Sequence, residues 1–167
     1  MRSFCKSLYN KLGEEYDLIA VDLRCHGGSR DMDLEGNGFD YKALASDLIF
    51  TLEKLNIKKA HFVGHSMGGK AIAAAALLST TGGLAGKMDI YSSTIMDISP
   101  IRYSEENFKN VLQTLDFLEM NCVTEAISKK QYIEDVINEH FEDQNVRLFL
   151  QSSLIEEEDN VCWRCDI

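Results

Sequence analysis

One short stretch limits this chain more than any other. Ala60-His61-Phe62-Val63 is followed by Gly64-His65-Ser66-Met67-Gly68-Gly69 and then by an alanine-rich run from Lys70 to Leu78. The first piece favours a strand and the last a helix. The residues between them leave room only for a sharp reversal. A reversal this tight puts Ser66 in a strained backbone conformation with its hydroxyl outward. Glycines two positions to either side remove Cβ atoms where the strand and helix ends nearly touch. The helix beginning after Ser66 points unpaired N–H groups at the same spot. Gly64-His65-Ser66-Met67-Gly68 therefore fits G-x-S-x-G, in which the serine attacks and the Met67 N–H stabilises the resulting oxyanion. The plainer alternative is a turn whose serine only caps the helix.

The surrounding pattern sets the architecture. Phe4, Ser7, Leu8 and Leu12 predict a helix over 3–12 with Gly13 as its stop. Residues 16–22 form a short apolar run that reads as a buried parallel strand. Asp40 is placed to cap a helix over 41–55, whose stripe is Tyr41, Leu44, Ala45, Leu48, Ile49, Leu52 and Leu55. The 70–78 helix is apolar on nearly every side and is expected to be buried. Residues 93–97 read as a third strand, stopped by Pro100, the single proline.

Three more helices are expected after that proline. One begins after Ser104 with Phe108, Val111, Leu112, Leu115 and Leu118 as its stripe. One runs over 124–140 and buries Ile127, Ile133, Val136 and Ile137. One starts near Asp143 and buries Val146, Phe149, Leu150 and Leu154. Strands separated by helices imply a parallel sheet with crossovers. The expected fold is α/β, a mostly parallel sheet with flanking helices over 1–103 and a helical cap with a tail over 104–167.

At 167 residues the chain is long enough for one domain or part of a larger one. Seventeen basic against 27 acidic side chains give a net charge of −10. That balance argues against nucleic acid or an anionic membrane as partner, since both require a positive face. No apolar run is long enough for a membrane span, so none is expected. Five scattered cysteines, an odd number, read as reduced thiols in a cytoplasm-like compartment. A mitochondrial home would require a presequence ahead of Met1.

Three motifs in order carry a resemblance: Val21-Asp22-Leu23-Arg24-x-His26-Gly27-x-Ser29, Gly64-His65-Ser66-Met67-Gly68-Gly69-Lys70 and Met96-Asp97-Ile98-Ser99-Pro100. Together they resemble the α/β-hydrolase superfamily, and most of all its abhydrolase-domain subgroup of small bacterial and mitochondrial serine esterases. The resemblance implies a Ser-His-Asp hydrolase of small acyl esters or thioesters, with no cofactor and no metal. Ser66 matches the nucleophile, Met67 supplies an oxyanion-hole N–H, and Gly64, His65 and Gly68 shape the turn. Asp97 matches the position where some members of the subgroup place the triad acid. Its alternative is a loop or capping carboxylate.

The family pattern also has a strand ending in His-Gly ahead of the first helix, lying between this chain's first and second strands, and a late loop bearing the triad histidine. This chain contains neither, and it is expected to be an incomplete fragment of a longer hydrolase.

Among the histidines present, His65 is expected to point away from the Ser66 hydroxyl. His61 belongs to the opposite end of its strand and His140 to a cap helix. His26 is best read as part of a turn. Other signals are weaker. Cys162-Trp163-Arg164-Cys165 lacks the elements around a redox pair and the partners of a zinc site. Residues 82–88 are one residue short of a phosphate loop. Glu156-Glu157-Glu158-Asp159 reads as a solvated charge run. Phe108, Leu112, Phe149 and Leu150 either line an acyl pocket or pack the cap. The rival from another class is a non-catalytic binding module that keeps the fold. Acyl transfer to an acceptor other than water would use the same turn.

Overall fold

Asp40 does what its position in the sequence predicts. In the computed structural model its carboxylate accepts the Ala43 N–H at 2.7 Å and opens a helix over Tyr41–Lys54. The structure describes residues 2–29, 38–104, 130–157 and 160–163, together with positions 106, 109, 113, 114, 116 and 117. The elements of the first part are α1 (Arg2–Leu12), α2 (Tyr41–Lys54), β1 (Lys59–His65), α3 (Met67–Thr81) and β2 (Asp89–Met96). β1 and β2 pair in parallel, from Lys59 opposite Asp89 to His65 opposite Met96, with one irregularity between Ala60 and His61.

The helices α2 and α3 cover one face of this pair. Leu48, Ile49 and Leu52 of α2, Ile72 and Ala75 of α3, Phe62 of β1 and Met88 form one buried cluster. Strand residues alternate between faces, so Phe62 joins this core while Val63 does not. The stripe expected for α2 is buried from Leu44 to Leu52, but its end members Tyr41 and Leu55 are exposed.

Two expectations need correction here. Residues 16–22 do not form a strand: among the described residues no ladder includes them, and Leu18 and Ile19 are exposed. A strand is held by a hydrogen-bonded neighbour, and among the described residues β1 pairs only with β2. Nor is α3 buried all round. Gly69, Ala71, Ile72 and Ala75 are covered, whereas Leu77 is 65% exposed. The helix is also longer than 70–78, because it starts directly after Ser66.

The later part contains α4 (Lys130–His140), α5 (Gln144–Ser153), β3 (Leu154–Glu157) and β4 (Asn160–Trp163). Asp143 caps α5 by accepting the Asn145 N–H at 2.7 Å. Ile133, Ile137, Leu150, Leu154, Val161, Trp163 and Phe117 form a second buried cluster.

The antiparallel hairpin β3–β4 replaces the expected helix end and solvated tail. Its Leu154–Trp163 pair and Val161 are buried, which the acidic composition of residues 156–159 concealed. Phe149, expected either in an acyl pocket or in the cap core, is 62% exposed. Phe108, Val111, Leu112, Leu115, Leu118 and Ile127 lie outside the described residues.

Candidate active site

The chain leaves β1 at His65 and enters α3 at Met67, with only Ser66 between. Ser66 takes φ +49° and ψ −118°, a left-handed conformation that costs a non-glycine residue on the order of 1–3 kcal/mol. Its backbone is held from both sides. Its N–H donates to the Met96 carbonyl at 3.0 Å, and its carbonyl accepts the Lys70 N–H at 3.1 Å. The half-buried Ser66 side chain makes no capping bond to the helix it precedes. Met67 opens α3, so its N–H is one of the first-turn donors for which a helix provides no carbonyl of its own.

The glycines divide the work differently from the expectation. A Cβ on Gly64 would lie 2.5 Å from Ile72 Cδ1 and 2.6 Å from the Gly68 carbonyl oxygen. A Cβ on Gly68 would meet nothing within 4 Å. The second close approach belongs to Gly69, whose Cβ would lie 2.9 Å from the Cγ2 atoms of Ile95 and Ile98. Gly64 and Gly69 therefore let β1, α3 and the end of β2 meet.

Asp97 follows β2 directly and is also left-handed, at φ +57°. Since Met96 is the register partner of His65, Asp97 stands one step beyond it, at the same end of the ladder as Ser66. Its Oδ2 lies 3.3 Å from His65 Nε2, and both side chains are exposed. His65 thus has a carboxylate partner that the sequence reading did not foresee. The expected strand over 93–97 already reached Asp97, but only the register that sets His65 opposite Met96 reveals the contact. The register brings Ser66, His65 and Asp97 to one end of the β1–β2 ladder.

The other histidines are engaged elsewhere. His26 shares a 2.9 Å hydrogen bond with the Arg24 carbonyl through Nδ1 and stacks on Phe39. His61 stacks on Tyr91, and His140 on Phe117.

The 22–29 motif is a tied-down turn. The Asp22 carboxylate accepts the Gly28 N–H at 3.0 Å, and a Cβ on left-handed Gly27 would collide with that carboxylate. The buried Arg24 side chain donates from Nε and Nη2 to both Asp47 oxygens on α2 and from Nη1 to the Gly38 carbonyl. The Asp47 hydrogen bond raises the guanidinium pKa further above its ordinary value.

A groove of about 550 Å³ lies along α2 and is lined by residues including Arg24, Ser46, Phe50 and Lys87. It does not include Ser66 or Asp97. Among the described residues, no three His, Cys, Asp or Glu side chains converge as a metal site, and no helix is long and apolar enough to cross a membrane.

A family model described as the alpha/beta hydrolase fold matches residues 1–81. Esterase YbfF of Escherichia coli is 31% identical over 162 residues, covering 96% of this chain and 56% of that protein. The sn-1-specific diacylglycerol lipase ABHD11 of Danio rerio is 27% identical over 166 residues, covering 99% of this chain and 48% of the lipase. The chain thus spans about half the length of these curated relatives. A solved structure of a marine microorganism esterase superposes with a TM-score of 0.78 at 20% identity, covering 98% of this chain and 59% of the other. With the parallel sheet and flanking helices described above, the chain has the α/β-hydrolase fold, and these likenesses support its place in the α/β-hydrolase superfamily.

Proposed function

We propose that this chain carries the nucleophile-bearing part of a serine esterase that cleaves small carboxylic esters or thioesters. One observation carries the reading: Ser66 is left-handed between β1 and α3, with a side chain that does not cap the helix. That arrangement frees the hydroxyl for chemistry and favours the reading over a purely capping serine. In the proposed reaction a histidine removes the Ser66 proton, and Oγ attacks the acyl carbonyl. The Met67 N–H holds the oxyanion, the alcohol or thiol leaves, and water releases the acid from the acyl-enzyme. Asp97 orients the imidazole and stabilises its charged form.

His26, His61 and His140 are engaged away from Ser66, and His65, although it meets Asp97, makes no hydrogen bond to the Ser66 hydroxyl among the described residues. The base is assigned to a part of the family that this chain does not span, since the chain covers about half of its relatives. The esterase and lipase relatives support an ester as substrate. No cofactor enters this chemistry.

A fluorophosphonate probe tests the assignment. The expected result is labelling mapped to Ser66 and abolished in Ser66→Ala. It is sought first in this chain and then in a longer version that includes the flanking coding sequence. Failure to label either protein would favour a binding module that keeps the fold without turnover.

A further inference from the structure

The Asp97 carboxylate can serve Ser66 only if the segment after β2 is held in place, and that segment is exposed through most of its length. Lys70 stands one turn into α3, where its N–H bonds to Ser66. Its Nζ donates to the Ile101 carbonyl at 3.0 Å. The same ammonium lies 4.6 Å from the centroid of the Tyr103 ring and 5.7 Å from that of the Tyr41 ring. The Ser99 N–H donates to the Tyr103 hydroxyl at 2.9 Å. A single cation therefore joins three pieces of chain: the helix after Ser66, the first residue of α2, and the turn that follows Asp97. A cation over aromatic faces with a carbonyl acceptor is a directional contact that an apolar side chain of equal length cannot replace.

We infer that Lys70 is a positioning residue, a clamp that fixes segment 97–103 against α3 and so sets Asp97 relative to Ser66. Its catalytic consequence rests on the reading of Ser66 as nucleophile, whereas its structural consequence does not. The two are measured separately.

Amide hydrogen exchange is followed by NMR in this chain for the wild type, Lys70→Met and Lys70→Arg. Lys70→Met is expected to speed exchange of the Ser99 amide by about tenfold or more while the amides of α2 and α3 stay protected. Lys70→Arg is expected to restore protection, because a guanidinium keeps both the donor and the stacking on tyrosine. Tyr103→Phe keeps the ring and removes the hydroxyl that accepts the Ser99 N–H. It is expected to release the Ser99 amide, and it reports on the turn if the Met variant fails to fold.

In whichever version reacts with fluorophosphonate, the labelling rate at Ser66 should fall in Lys70→Met and recover in Lys70→Arg. If the wild type is not labelled, the esterase reading fails, and the exchange data still decide the clamp. Unchanged Ser99 exchange in Lys70→Met, or an Arg variant that behaves like Met, would overturn the inference.

Discussion

Phe62 and Val63 are neighbours in β1 and have opposite fates. Phe62 is 7% exposed within the cluster formed with α2 and α3, while Val63 is 46% exposed on the other face of the same two strands. The bare face is dressed rather than covered. His61 stacks on the exposed Tyr91 ring at 5.2 Å and shares a 2.8 Å hydrogen bond with the Ser92 hydroxyl. The contrast shows that an apolar strand sequence specifies two buried faces only when there are two layers to bury them. Here the helices supply one.

Truncation separates the two faces most sharply. Phe62→Ala is expected to cost about 3–5 kcal/mol, the usual loss for an aromatic side chain removed from a packed core. Val63→Ala is expected to change stability by no more than about 0.5 kcal/mol, as for an exposed position. Urea unfolding followed by circular dichroism measures both. Equal losses would mean that the second face is covered in solution and that the asymmetry of β1 is not real.

A smaller effect refines the covered face. Gly64 lies on the Phe62 side, and a methyl group there would press on Ile72 and on the Gly68 backbone. Gly64→Ala is expected to destabilise by about 1–3 kcal/mol, the cost of overpacking. Gly68→Ala meets open space and is expected to be neutral or to stabilise by about 0.4–1 kcal/mol through the unfolded chain. Thermal midpoints of the two variants should move in opposite directions or differ clearly. A Gly68 variant as damaged as the Gly64 variant would restore the symmetric role that the pentapeptide pattern suggested.

The same contrast explains what could be read from the sequence. The Asp40 cap and the apolar stripe of α2 were legible because a local side chain and a 3.6-residue period determine them. The Ser66 passage was legible because so few residues separate strand from helix. Residues 16–22 were misread because a strand's composition does not supply its neighbour. The β3–β4 hairpin was missed because Leu154 fitted the helical stripe and the acidic run resembled a surface tail. Only the alternation of Val161 with Trp163 hinted at a strand. The contact of His65 with Asp97 depends on register between β1 and β2, a non-local fact. Lys70 belongs to the motif that carries Ser66, but its partners Ile101 and Tyr103 lie about thirty residues away and no spacing announces them.

The smallest effect lies at the rim of the covered layer. Tyr41 opens α2 beside Lys70, and partial burial pushes its phenol up from the ordinary value of 10.0. The folded state therefore holds this proton more tightly than the unfolded chain does. The resulting stabilisation is fully present below the unfolded value and is lost as pH rises through the folded one. With the residue 41% exposed, solvent screening keeps the contribution slight. The expected result is a Tyr41 ring resonance that titrates above the ordinary tyrosine range by NMR. Tyr41→Phe should remove a small part of the alkaline fall in stability. A Tyr41 that titrates at or below the ordinary value would mean that water reaches the phenol freely, and that the cover over this face of the sheet ends before the first turn of α2.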